Sequence, residues 1–146
     1  MYLIGVILFL AVVAGLGLLS ATLGSFIDFP SLFVILGLSL SILLASGLLP
    51  DFLKGFKLMG AKENPFTALE LKRIRRACRL AIQSFLLGGF VGTMIGSVGV
   101  LASLNDPAKI GPNLAVAMLT VLYALIFVFL VLPVQAKVKT VLDTLE

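Results

Sequence analysis

The sequence has no histidine and a single cysteine, Cys78. A histidine metal site or proton relay is therefore excluded, and too few soft ligands remain for zinc. One thiol permits no internal disulfide. Charge is scarce as well: only 12% of the 146 residues are Asp, Glu, Lys or Arg. None of them falls in the apolar core of any long hydrophobic stretch. Secondary transporters and proton relays usually place an ionisable group at membrane depth. This chain offers hydroxyls there but no proton acceptor, so any ion it helps to move needs a carboxylate from another chain. The same gap argues against a small four-helix drug transporter. With no nucleophile–base pair, no enzyme activity is expected, and no cofactor or metal is implied.

Apolar sequence is what remains in abundance. The chain is 60% hydrophobic, with a mean hydropathy of +1.20. A soluble domain of this length has no interior large enough for so much apolar surface, so its solvent is largely lipid. A spanning helix needs about 20 mostly apolar residues. Four stretches qualify, at about 2–26, 31–49, 80–103 and 113–132. Their apolar runs are continuous rather than alternating, which disfavours a β-barrel. The first lacks a basic leader and is long enough to span, so it is expected to stay in the product.

The net charge of +4 is concentrated in one place. The loop 50–79 holds Lys54, Lys57, Lys62, Lys72, Arg73, Arg75, Arg76 and Arg79 against Asp51, Glu63 and Glu70. The other turns hold only Asp28, Asp106 and Lys109. The positive-inside rule places the basic loop in the cytoplasm, and four spans then put both termini there too. This charge pattern explains membrane orientation and gives no nucleic-acid signal. The expected architecture is one all-α integral membrane domain over 1–146, with four transmembrane helices and a short basic helical loop.

Small residues mark where helices meet. The first stretch carries Ala14, Gly15, Gly17, Ser20, Ala21 and Gly24, and the second carries Gly37, Ser41 and Ala45 at four-residue spacing. In lipid such stripes let backbones approach closely. Between them Pro30 suits a helix start, and Asp28 fits either a helix cap or an ion entrance. The second stretch is expected to end at Leu49-Pro50-Asp51, where proline opposes continuation. Residues 51–64 have a mixed pattern suited to the membrane surface. Thr67 and Glu70 then have capping-box spacing. They open a helix that runs from the loop into the third span. Its basic cluster suits anionic headgroups, a protein partner or a simple topology anchor.

The third stretch is the most informative. Gly88, Gly92 and Gly96 form one ridge, and Gly89, Thr93 and Ser97 the next. Interior glycines cost about 1 kcal/mol each against alanine, so the run implies something pressed close. Two readings fit: plain helix packing, or a narrow lining with hydroxyls at Thr93 and Ser97. After the polar segment 104–113, the fourth stretch places Ala117, Thr120 and Ala124 near one face, with Tyr123 beside them. Thr120 alternatively bonds only its own helix backbone.

This hairpin resembles the MotA/TolQ/ExbB family of ion-driven motor subunits, and most closely its MotA-like flagellar stator branch. The resemblance rests on Gly92-Thr93-Met94-Ile95-Gly96, on Leu104-Asn105-Asp106-Pro107-Ala108-Lys109-Ile110-Gly111-Pro112, on the run from Leu114 to Tyr123, and on Pro133. The turn 24–31 is also similar to the family's first turn. Leu86, Val121 and Ala124 depart from the family's proline, threonine and glycine. The family's large cytoplasmic domain between helices two and three is reduced here to about 30 residues. No rotor-contact residue carries over.

The resemblance implies a homopentameric ring around a dimeric, single-span MotB-like partner, whose aspartate binds the driving proton or sodium ion, in the bacterial inner membrane. Thr93 matches a pore threonine of the family; with it, the inner faces of the two helices make Ser97, Thr120, Tyr123 and Ala124 candidates for the ion pathway, and Gly88, Gly92 and Gly96 for helix contacts. Asp28, Pro30, Asp106, Pro107, Pro112 and Pro133 are assigned to structural turns. The rival is a non-conducting membrane scaffold or assembly protein derived from the same family.

Overall fold

The computed structural model describes residues 2–20, 26–61 and 64–145. Ala21, Gly24, Ser25, Lys62, Glu63 and Glu146, which figure in the reading above, lie outside the described residues. The described residues form α1 (Tyr2–Ser20), α2 (Phe29–Ala45), α3 (Leu49–Gly60), α4 (Ala68–Ala102) and α5 (Pro107–Asp143), joined by turns. Among the described residues α1, α4 and α5 are each long and apolar enough to cross a bilayer.

α2 starts where the sequence places a cap. Asp28 Oδ2 accepts the Ser31 amide at 2.9 Å, and Pro30 occupies the first turn. Its stop differs from expectation. The helix ends at Ala45, and the chain reverses at Gly47, whose φ of 66° lies in the left-handed region that favours glycine. Pro50 does not terminate α2; it sits in the first turn of α3, where a missing N–H leaves no bond unmade. α3 leaves α2 at 108°. Its buried face is Asp51, Gly55 and Leu58.

α4 opens on the capping box that the spacing predicts. Thr67 Oγ1 accepts the Glu70 amide at 3.4 Å, and Glu70 Oε2 accepts the Thr67 amide at 3.0 Å. Its 35 residues span about 52 Å, roughly 20 Å more than the hydrocarbon layer. α5 is longer than expected. The polar turn closes at Asp106, Pro107 starts the helix, and the helix continues through Pro112 and Pro133 to Asp143. Those two prolines are therefore interior residues and make no turn. A helical proline frees carbonyls one turn earlier, which must be satisfied from outside. Tyr2 of α1 does this near Pro133, donating to the Leu130 carbonyl at 3.0 Å.

The α4–α5 pair is the spine. At its basic end Leu58, Leu71, Ile74, Cys78, Val134, Val138 and Leu142 are all at most 2% exposed. Where this core lies beyond the hydrocarbon, each buried Leu or Ile stabilises it by roughly 1.5–3 kcal/mol. Lys137 of α5 locks α3 onto the spine, donating to the Leu58 carbonyl at 2.8 Å. That carbonyl lies in the last turn of α3, where a cation is favoured.

α2 packs on α4 and α5 through Ser31, Ile35, Ser39 and Leu43, all buried. The expected Gly37/Ser41/Ala45 stripe points away. A Cβ at Gly37 would meet nothing within 4 Å, and Ser41 bonds only the Gly37 carbonyl. The buried stripe starts from Ser31 because that residue faces Val116 of α5. α1 stays outermost; among its described residues only Gly17 is buried. It touches the spine through Tyr2 and a Phe9–Phe129 ring contact at 4.8 Å.

Candidate functional site

Among the described glycines the tightest approaches lie on the α4–α5 seam. A Cβ built on Gly89 would lie 2.6 Å from the Ala124 Cβ. One on Gly92 would lie 2.8 Å from the Thr120 Cγ2, and one on Gly96 would lie 2.9 Å from the Ala117 Cα. Ordinary carbon contacts are about 3.5–4.0 Å, so these glycines are required by space. The working contact is Gly89, Gly92 and Gly96, at spacings of three and four. Gly88, expected on the same ridge, faces α2 instead, with the Ile35 Cα 3.7 Å from its Cβ position.

The seam gathers hydroxyls around one carbonyl. Thr120 Oγ1 donates to the Ala117 carbonyl at 2.8 Å. Thr93 Oγ1 donates to the Gly89 carbonyl at 2.8 Å, and it lies 3.3 Å from the Ala117 carbonyl and 3.5 Å from Thr120 Oγ1. Ser97 follows one turn away, donating to the Thr93 carbonyl at 2.8 Å. Thr120 is buried and Thr93 half-buried. Each hydroxyl proton is committed to a backbone acceptor, while oxygen lone pairs remain free. Such a cluster can offer oxygen ligands but cannot take up or release protons near neutral pH. Thr93 and Ala124 open onto a groove walled by Leu86, Phe90, Met94, Val121 and Leu125. All five walls are exposed apolar side chains.

Tyr123 is not part of this cluster. Its hydroxyl donates to the Phe26 carbonyl and accepts the Asp28 amide at 2.8 Å. The phenol thus pins the turn before α2 to α5. The sequence places Thr120 and Tyr123 near each other, but three residues along a helix separate their partners onto different elements. Asn113 performs a similar task at the far end, reaching the Gly99 carbonyl at 3.1 Å and the Ser103 hydroxyl at 3.0 Å. Asp106 makes no side-chain cap; it pairs with Lys109 at 3.0 Å.

Sequence reasoning missed Asp51. It is 4% exposed and accepts Arg73 Nε and Nη2, each at 3.0 Å. Lys54 stands 3.7 Å from Asp51 and 3.2 Å from Glu70, which links α3 to the α4 cap. The amide and hydroxyl of Thr67 and the Lys54 ammonium hold the Glu70 carboxyl below its usual range. The available signal was the i, i+4, i+7 spacing of Asp51, Gly55 and Leu58. Among the described residues no three potential acidic, thiol or imidazole ligands gather to hold a metal.

Comparison with known proteins agrees with this hairpin. The profile of the MotA/TolQ/ExbB proton channel family matches residues 67–146, from the α4 cap to the end of the chain. The uncharacterized protein YtxD of Bacillus subtilis is 44% identical over 52 residues, which are 35% of this chain and 19% of that protein. Motility protein A of Aquifex aeolicus is 43% identical over 56 residues, 38% of this chain and 22% of that protein. Chemotaxis protein PomA of Vibrio alginolyticus is 50% identical over 38 residues, 26% of this chain and 15% of that protein. The matched stretches thus span about a fifth of these relatives. The profile covers more than half of the chain, and the chain belongs to the MotA/TolQ/ExbB proton channel family.

Proposed function

We propose that this chain is the ring subunit of a proton- or sodium-driven motor or channel complex in the bacterial inner membrane. Five copies surround a dimeric, single-span MotB-like partner that carries the ion-binding aspartate. α1, α2, α4 and α5 provide four spans, and both termini and the basic loop face the cytoplasm. α2 has 17 residues, about 25 Å of helix, which the bilayer meets by thinning slightly.

The observation that carries this reading is the Thr93–Thr120 seam. It supplies oxygen ligands on a glycine-tight hairpin that opens onto an apolar groove, and no span contains a carboxylate. Such a surface suits a partner helix that brings the charge. Thr93, Ser97, Thr120 and Ala124 lie on or beside the ion pathway, while Tyr123 positions the hairpin. With about 30 residues between the second and third spans, the driven load differs from ordinary flagellar torque.

The purified protein alone should leak neither protons nor sodium from liposomes. Flux should appear with a cognate single-span partner carrying a membrane aspartate, and Thr93→Val should reduce it. Robust flux from this chain alone would overturn the division of labour. A verified partner complex without flux would favour the scaffold alternative. That rival draws on the commitment of both threonine protons to the hairpin's own carbonyls.

A further inference from the structure

A second polar feature lies at the basic end of the spine. Lys72, Arg75, Arg76 and Arg79 of α4 line a cleft of about 470 Å³ against Gln135 and Leu142 of α5. Their spacings of three, four and seven place them on one helix face. Among the described residues no carboxylate lines the cleft. Arg73, on the neighbouring face, is held by Asp51, so the single α3 acid is directed away. Arg75, Arg76 and Arg79 make no ion pair with any described residue. Three guanidiniums therefore share a groove with no counter-charge among the described residues.

Depth and direction indicate what fills it. Counting back about 20 residues from Ala102, the hydrocarbon boundary crosses α4 near residue 82. Arg79 lies about one turn outside that boundary, where lipid phosphates sit. The same face of α4 then continues, at spacings of seven and four, into Leu86 and Phe90, which are 46% and 62% exposed. The matching occupant has an anionic head and an apolar tail in that order. A soluble acidic segment would satisfy the arginines and leave the apolar strip uncovered. Guanidinium groups suit phosphate oxygens because their planar forks bind two at once. The half-buried Gln135 amide offers further donors from the opposite wall.

We infer that the Arg75/Arg76/Arg79 cleft is a binding site for the phosphate of an anionic phospholipid, whose chain runs along Leu86 and Phe90. Leu86 and Phe90 also wall the groove given above to the partner helix, so lipid tail and partner share that strip; the test needs neither partner nor ion gradient, and its failure leaves the ion-driven reading standing. The full chain in mild detergent is offered equal amounts of phosphatidylglycerol and phosphatidylcholine, and bound lipid is counted by native mass spectrometry. Phosphatidylglycerol should be preferred, and Arg75→Gln/Arg76→Gln/Arg79→Gln should lower that preference by on the order of a hundredfold. Lys57→Gln/Lys109→Gln/Lys139→Gln removes equal charge elsewhere and should retain it. Circular dichroism checks that helix content is unchanged. If the glutamine triple fails to fold, Arg75→Lys/Arg76→Lys/Arg79→Lys must still bind phosphatidylglycerol, more weakly than the parent. Equal loss in the control triple overturns the site as mere net charge. Displacement of the lipid by millimolar inorganic phosphate makes it a soluble-anion site. Displacement by polyglutamate makes it a protein-docking site. Either result refutes the lipid assignment.

Discussion

Replacing Gly92 with leucine tests the seam directly. The first added carbon would stand 2.8 Å from Thr120 Cγ2 and 3.0 Å from Thr120 Cβ, about 1 Å inside ordinary contact. Thr120 has little freedom to yield, because its hydroxyl is bonded to the Ala117 carbonyl at 2.8 Å. α5 must therefore move out, which also stretches the Gly89 and Gly96 contacts. Overpacking of this kind typically costs about 1–3 kcal/mol. The gain in helix propensity is about 1 kcal/mol at most. Alanine should come near to balance, whereas leucine adds three more carbons and should lose about 2 kcal/mol net. The assay is thermal unfolding in mild detergent, paired with native mass spectrometry of the assembly. A double-mutant cycle isolates the cause. Thr120→Ser removes the methyl that Gly92→Ala would strike, so the pair should be more stable than the sum of the singles, by about 0.5–1 kcal/mol. Unchanged stability and assembly in Gly92→Leu, with no coupling in the cycle, would show that α4 and α5 do not meet there.

Topology is open to a simple check: reporters after Arg79 and after Glu146 should read cytoplasm and one at Asn105 the outside, and an outside signal at Arg79 would refute the orientation. Thr67→Ala should cost about 1 kcal/mol and speed hydrogen exchange in the first turn of α4, with little effect at the seam. Acid should act on the same turn. The Glu70 carboxyl titrates below its usual range when folded, so its contribution is complete above the ordinary glutamate pKa and is lost as pH falls through the lowered value. Glu70→Gln should abolish that acid-dependent fraying; if the fraying persists unchanged, the cap is not its source. Asp51→Ala should destabilise the α3–α4 contact by about 1–3 kcal/mol, well below the figure for a fully buried pair, because Arg73 can turn its charge to water. Proteolysis between residues 46 and 66 would detect the loosening.

The sequence made some features plain because their causes are local. Thr67 and Glu70 are three residues apart and complete each other's bonds, so their spacing alone locates the start of α4. Asp28 caps α2 for the same reason. Proline misled because its local rule has two outcomes. At Pro50 the missing N–H opens a helix, and at Pro112 and Pro133 the helix carries on. Near Pro133 the Leu130 carbonyl is met by the Tyr2 phenol, 128 positions away from it in the sequence. The glycine run announced a close contact, yet the choice among Gly88, Gly89 and Gly92 depends on the crossing of α4 with α2 and α5, which spacing alone leaves open. Tyr123 was misplaced because adjacency on one helix does not give a shared neighbour. That Thr93, Ser97 and Thr120 lie along one seam was legible, though the point where Thr93 and Thr120 meet, the Ala117 carbonyl, was not.

The unbroken length of α4 has a mechanical consequence. From the capping box to Ala102 there is neither proline nor a gap in the helix, so the rod has no hinge at the bilayer surface. A tilt set at the depth of Thr93 must reappear as a sweep at Thr67. A tilt of about 10° over the roughly 40 Å between those residues moves the basic end by about 7 Å. α3 is clamped to that end by Arg73 and Lys137, so it travels with the rod as a crank arm lying at 108° to α2. The joint between α3 and α2 is the turn at Gly47, so a displacement of α3 reaches α2 there.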